Sequence, residues 1–195
     1  CDHYLAITGN SWMACLKNSP FSHWEPKIVH LDLAVNRSNF PLIKKSFNQI
    51  KPRRFLYIGH TGWYKNIKFL EKLALKLPET EFAWMGGNQI LKNIKTLGKY
   101  DFSSQKAKNL IQEYDFMITL GSADANPTTI LEAMAWGLVP VCSVQSGYVG
   151  FPSIRNISID CIDDALKTIE KLQSVPEEQL IKWQKINLTE LDKHF

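Results

Sequence analysis

The sequence predicts an open, Rossmann-like parallel α/β sheet with helices on both faces. Three observations lead there. Short apolar runs at 55–58, 82–85, 116–120 and 138–143 read as strands buried on both sides, as strands of parallel sheets are. Segments with helical spacing of apolar residues alternate with these runs. Glycines follow three of them, at Gly59, at Gly86 with Gly87, and at Gly121. In such sheets ligands bind beyond the carboxyl ends of the strands, so these glycines converge on one expected site.

The elements are expected in the following order. Tyr4-Leu-Ala-Ile-Thr8 and Ser11 to Lys17 form a first strand and helix, set off by Asn18-Ser-Pro-Phe-Ser22. A short strand covers 27–31, and the mixed polar stretch 32–52 reads as a connector. The regular part begins at Arg53 with the strand 55–58. Ile67, Leu70, Leu73, Ala74 and Leu77 give helical periodicity over 66–77, and Pro78 closes it. Strands at 82–85 and 93–97 follow. Ser103 or Ser104 caps a helix running to about Tyr114, and a strand covers 116–120. Asn126 serves as N-cap and Pro127 as first residue of a helix that Gly137 terminates. A buried strand at 138–143 and a short one at 157–159 come next. Asp160 caps a helix from 162 to 172, and Pro176-Glu-Glu opens the last one.

Composition sets the bounds. A chain of 195 residues, 45% hydrophobic and 22% charged, is long enough for one good core or one domain and part of another. Because it opens at Cys1 rather than Met, a piece of a longer protein is expected. The net charge of +4 favours anionic ligands or a membrane surface only mildly. Cys1, Cys15, Cys142 and Cys161 show no close pairing or metal spacing, so a reducing, cytoplasmic setting is expected, with Cys142 a small core residue. No window is apolar enough to span a membrane, and no signal peptide is evident. The basic clusters Lys44-Lys45 and 51–54 lack an aromatic platform or recognition helix, which argues against nucleic acid.

The most informative stretch is 120–143. Asp124 in a loop and Glu132 inside a helix lie eight residues apart, with a helix start between them. Free N–H groups and the dipole at a helix start attract anions. A ligand with phosphate at its centre and hydroxyls around it, such as a nucleotide-sugar, has the matching layout. Glu132 lies among apolar residues, where a charge calls for a reason. Asp124 is also an ordinary turn former. The loop Gly59-His-Thr-Gly-Trp-Tyr-Lys65 joins a strand to a helix and offers Lys65 as a point charge for phosphate.

Glu132-Ala-Met-Ala-Trp-Gly-Leu-Val-Pro-Val141 resembles the donor-site signature of retaining glycosyltransferases with two Rossmann-like domains, the GT-B fold, of the large family 4. It carries one extra residue before Pro140, and Asp124 stands where the family has its first Glu. The likeness runs from about Lys27 to Leu172. It implies the C-terminal, donor-binding half of a group 1 hexosyltransferase: residues 1–26 a remnant of the N-terminal domain or a linker, 27–175 the nucleotide-sugar domain, 176–195 a helix packing back toward the N-terminal domain.

The same resemblance assigns roles. Asp124 contacts the donor sugar, Lys65 and His60 (in the place of an arginine) hold the diphosphate, and Glu132 takes the ribose hydroxyls, so Asp124, Lys65 and Glu132 are the catalytic set. Gly59 and Gly86 provide close backbone, Asn126, Thr128 and Thr129 the helix start, and Leu97 and Tyr100 frame the base. It implies a nucleoside diphosphate sugar as donor, no metal (no Asp-x-Asp pair is present), and a glycan, lipid or small-molecule acceptor bound by the missing domain. Peripheral attachment of the full-length enzyme to the inner face of a membrane is compatible with it, and the fragment alone is expected to be inactive. Two rival readings stand beside it. A dinucleotide oxidoreductase needs Gly-x-Gly-x-x-Gly, which Gly59 and Gly62 do not give. A non-catalytic nucleotide- or partner-binding domain is kept open by His60 and Asp124.

Overall fold

The computed structural model describes residues 2–7, 10–31 and 33–195, so the expectations that touch Cys1, Thr8 and the Ser11 side chain lie outside it. The chain begins with β1 (Tyr4–Ala6), α1 (Asn10–Lys17) and β2 (Ile28–His30), a parallel two-stranded unit with its apolar residues largely in solvent. Residues 33–52 have no regular structure, as expected of a connector. The main unit then runs through β3 (Phe55–Ile58), α2 (Ile67–Lys76), β4 (Phe82–Met85), β5 (Lys95–Gly98), α3 (Gln105–Ile111), β6 (Phe116–Thr119), α4 (Thr128–Trp136), β7 (Val139–Ser143), β8 (Arg155–Ile157), α5 (Ile162–Gln173) and α6 (Glu177–His194).

Its six strands form one parallel sheet in the order β5-β4-β3-β6-β7-β8. The chain builds outward from β3, then returns to place β6 on the other side of β3. The order therefore reverses between β3 and β6, which opens a crevice at their carboxyl ends.

Side chains alternate across each strand, so the sheet divides its core between two faces. Phe55, Tyr57, Phe82, Trp84, Phe116 and Ile118 pack with Leu70 and Leu73 of α2 and Ile169 of α5. Leu56, Ile58, Met85 and Met117 pack on the other side with Ile111 of α3 and Ile130, Leu131 and Met134 of α4. Cys142 is buried in β7, and that burial pushes its thiol up to about 12.

The connector is tightly held. Lys44 Nζ lies 3.2 Å from Asp115 Oδ1 with both side chains buried, and it donates to the Gln112 carbonyl. Asp115 also accepts from the Asn48 and Arg54 backbone N–H groups. The Trp136 carbonyl accepts from the N–H groups of Ile43 and Lys44. Helix α6 closes over this region, with Gln184 Nε2 donating to the carbonyls of Lys44 at 3.0 Å and Gly137 at 2.8 Å.

Several boundaries differ from expectation for identifiable reasons. The last strand is Arg155–Ile157, because the ladder with β7 pairs Val141 with Arg155 and Ser143 with Ile157. Asp160 does not cap α5. Cys161 occupies that position without a side-chain bond, while the Asp160 N–H is turned toward Ser158 Oγ. Ser104 does cap α3, accepting from the Ala107 N–H. That helix stops at Ile111 rather than near Tyr114. The chain then tightens into turn bonds, Glu113 to Leu110 and Tyr114 to Ile111, before entering β6. The fifth strand begins at Lys95, two residues later than expected.

Candidate functional site

The loop after β3 is built around close backbone approach. Gly59 has φ 145°, and its carbonyl accepts from the Trp84 indole N–H at 2.7 Å. A Cβ placed on Gly86 would lie 2.1 Å from that same carbonyl oxygen, so only glycine allows the β3 and β4 loops to meet there. The Tyr57 hydroxyl donates to the His60 carbonyl and fixes the start of the loop. His60 Nδ1 accepts from the Gly62 N–H at 3.0 Å, and Nε2 lies 2.8 Å from the Tyr64 hydroxyl. Both ring nitrogens are engaged in hydrogen bonds within the loop. His60 thus supplies a hydrogen-bonding edge, not the fixed positive charge of an arginine. The loop ends in a 3-10 turn, Trp63–Lys65, and Asn66 in the left-handed region leads into α2.

The loop after β6 is tied to it. The Ser122 N–H donates to the Tyr64 carbonyl at 2.8 Å, and Lys65 Nζ lies 2.6 Å from Asp124 Oδ2. Ser143 Oγ at the end of β7 donates to the Gly121 carbonyl at 2.5 Å. Asn126 is not the N-cap. It has φ 51°, and its side chain donates to the Ile7 carbonyl at 3.3 Å. Pro127, with φ −61° and ψ 124°, takes the cap position without a side-chain bond, and α4 starts at Thr128. A contact with the β1–α1 unit has thus drawn the asparagine away from the helix. The N–H groups of Thr128 and Thr129 open the helix and have no partner within it, as helix geometry requires.

Glu132 is half-buried one turn further on. Burial raises its carboxyl above the ordinary carboxylate range, and a hydrogen bond with the Thr128 side chain pulls partly the other way. Gly137 ends α4 in the left-handed region as expected.

A cleft of about 350 Å³ lies at the carboxyl ends of β3 and β4. It brings together Gly59, His60, Gly86, Tyr100, Thr129 and Glu132, six of the residues expected at a site. Lys65 and Asp124 form a separate, mostly buried pair in the two loops at the switch point. Leu97 packs into the sheet face below, and Asn126 points to the N-terminal unit. Lys99, next to Tyr100, also lines the cleft, as do Phe40 and Phe102, to which no sequence pattern pointed. Phe40 sits in an aperiodic connector that gives no signal, whereas Phe102 could have been found from its place two residues after Tyr100. Phe40 and Phe102 both lean on Trp136, with ring centroids 5.3 and 5.7 Å away, so one end of the cleft is aromatic. A larger groove of about 600 Å³ beside Lys51, Glu79 and Gln173 lies at the amino ends of the strands and includes none of the expected site residues.

No protein-family model matches the chain, and no curated protein matches it in sequence. Solved structures do match it in fold. Sucrose-phosphate synthase from Thermosynechococcus elongatus superposes with TM-score 0.79 at 12% identity over 98% of this chain and 53% of that one. A glycosyltransferase from Rickettsia africae gives 0.75 at 13% identity, over 100% and 59%. WaaG, a glycosyltransferase involved in lipopolysaccharide biosynthesis, gives 0.65 at 13%, over 96% and 58%. The chain therefore has the fold of the C-terminal, Rossmann-like half of a GT-B glycosyltransferase, and it spans between half and three-fifths of the length of these structures.

Proposed function

We infer that this chain is the donor-binding half of a glycosyltransferase, one that moves a sugar from a nucleoside diphosphate to an acceptor hydroxyl with retained configuration. One observation carries the reading: the carboxylate of Glu132 and the start of its own helix at Thr129 border one cleft, opposite the bare backbone of Gly59 and Gly86. A carboxylate accepts from two neighbouring ribose hydroxyls, a helix start and close-lying glycines take a diphosphate, and the aromatic end suits a base. In the reaction the anomeric C–O bond to the diphosphate breaks and its electron pair leaves on phosphate. The acceptor oxygen forms the new bond, and its proton passes to the oxygen of the departing diphosphate. Lys65, the His60 edge and the α4 N-terminus stabilise the charge that grows on the leaving diphosphate, in the role a divalent metal fills elsewhere.

Residues 27–175 form the donor domain in this reading. The segment up to residue 26, which carries β1 and α1, with Leu5 72% exposed and Phe21 52%, belongs with a second domain that holds the acceptor glycan, lipid or small molecule, and α6 lies along the side facing it. No helix among the described residues is long and apolar enough to cross a membrane. The full-length enzyme works in the cytoplasm, at the inner face of a membrane where its acceptor is a lipid. The chain alone binds donor without turning it over.

Calorimetric titration with UDP, GDP and ADP in the absence of divalent metal tests this on the wild type, Lys65→Ala and Glu132→Ala. Binding selective for one base and weakened at least tenfold by each substitution is expected. No binding of any nucleotide would favour the second reading, a non-catalytic domain. A histidine at position 60, with both ring nitrogens bonded within its own loop, and the pairing of Lys65 with Asp124 are the features that favour it.

A further inference from the structure

The Lys65–Asp124 contact is a 2.6 Å ion pair between side chains only 11% and 10% exposed. It belongs to a wider closure of the two loops at the switch point. The Ser122 N–H donates to the Tyr64 carbonyl, and a Cβ on Gly121 would lie 2.6 Å from Asp124 Cβ and 3.2 Å from that carbonyl oxygen. Glycine at 121 is what allows Asp124 to lie so close to the loop carrying Lys65. Asp124, 8% exposed, is as enclosed as its partner, and its Oδ2 is committed to the Lys65 ammonium. An ammonium as enclosed as that of Lys65 needs a counter-charge, and Asp124 provides it.

Resting on the donor-site reading, we propose that Asp124 is a positioning residue: it holds the Lys65 ammonium in place as its counter-ion, competes with the donor diphosphate for it, and does not bind the sugar. The pair keeps the lysine ordered while the site is empty. An arriving diphosphate brings negative charge toward Lys65 and meets opposition from the Asp124 carboxylate. Asp124 therefore weakens diphosphate binding and eases its departure. Because the effect acts through phosphate charge, it is the same whether or not a sugar is attached.

The test uses the chain as it stands, with Asp124→Asn to remove the charge and Asp124→Glu to restore it. UDP, GDP, ADP and their glucose or mannose derivatives are titrated calorimetrically. Acylation of Lys65 without ligand is followed by mass spectrometry, and circular dichroism checks the fold. Asp124→Asn should bind the preferred diphosphate about tenfold more tightly, about 1.4 kcal/mol, and its sugar derivative by the same factor. Lys65 in that variant should acylate several times faster than in the wild type, and Asp124→Glu should behave as wild type. A loss confined to the sugar derivative, or an unchanged Lys65 acylation rate, overturns the proposal. Wild type and variants that bind no nucleotide overturn the donor reading and this one with it. Wild-type binding with a sugar-specific loss overturns only this one.

Discussion

Replacing Gly86 by alanine tests whether the site depends on the near-contact of two loops. The new Cβ would stand 2.1 Å from the Gly59 carbonyl oxygen, 2.8 Å from its carbon and 2.9 Å from Trp84 Nε1. Carbon and oxygen ordinarily approach no closer than about 3.3 Å, so the loops must part by about 1 Å. Two of the three close atoms are backbone, which cannot swing aside. Overpacking of this kind costs about 1–3 kcal/mol. Parting the loops also removes the partner of the buried Trp84 indole N–H, about 1–3 kcal/mol more. Gly86 is not in the left-handed region, so alanine returns about 0.4–1 kcal/mol by restricting the unfolded chain. The net loss is about 1–6 kcal/mol. An unfolding entropy of about 2.1 cal/mol/K per residue makes each kcal/mol worth about 2.4 °C here, so Tm should fall by about 2–14 °C. Scanning calorimetry reads this fall, and a UDP, GDP or ADP titration should show affinity reduced tenfold or more. A variant with wild-type Tm and wild-type affinity would refute the account of how β3 and β4 shape the cleft.

Two further substitutions probe charge. Burial raises the Glu132 carboxyl, so the folded state favours its protonated form and loses stability as pH rises through that raised value. Glu132→Gln should therefore unfold at a higher temperature than wild type at neutral pH, with the gain shrinking in mild acid; a difference that grows on acidification would contradict this. Asp115→Ala leaves the buried Lys44 ammonium without its counter-charge and should cost about 3–5 kcal/mol, or about 7–12 °C in Tm. Replacing both partners, Lys44→Met with Asp115→Asn, should cost clearly less, and equal losses from the two changes in denaturant titrations would count against the buried pair.

The parts of the fold that were legible in the sequence are those where burial alone decides. The strands at Phe55–Ile58 and Phe82–Met85 are apolar throughout and buried throughout, so composition marks their ends. The edge strand β8 is different. Arg155 and Asn156 belong to it because they pair with Val141 and Cys142, and nothing in their polarity says so. Six cleft residues were readable because a glycine, a helix start or a motif announces each. Asn126 has the right chemistry for a cap but found a tertiary acceptor at Ile7, 119 residues away. The Lys65–Asp124 pair spans 59 residues, and the meeting of Gly59 with Gly86 depends on two loops at once. Neither leaves a local pattern.

The clasp formed by α6 has a consequence for the order of events during synthesis. A chain emerges amino end first, at about 5–20 residues per second. Gln184 lies 47 residues beyond Gly137, whose carbonyl it engages, so roughly 2–9 s separate the two at that rate. Through that interval the end of the helix bearing Glu132 is held to the Lys44 segment by the bonds from the Ile43 and Lys44 N–H groups to the Trp136 carbonyl, without the added Gln184 amide. The end of α4 is thus fully braced only once α6 has been made and has docked, and a nucleotide present before then would meet a cleft with one of its supports still absent.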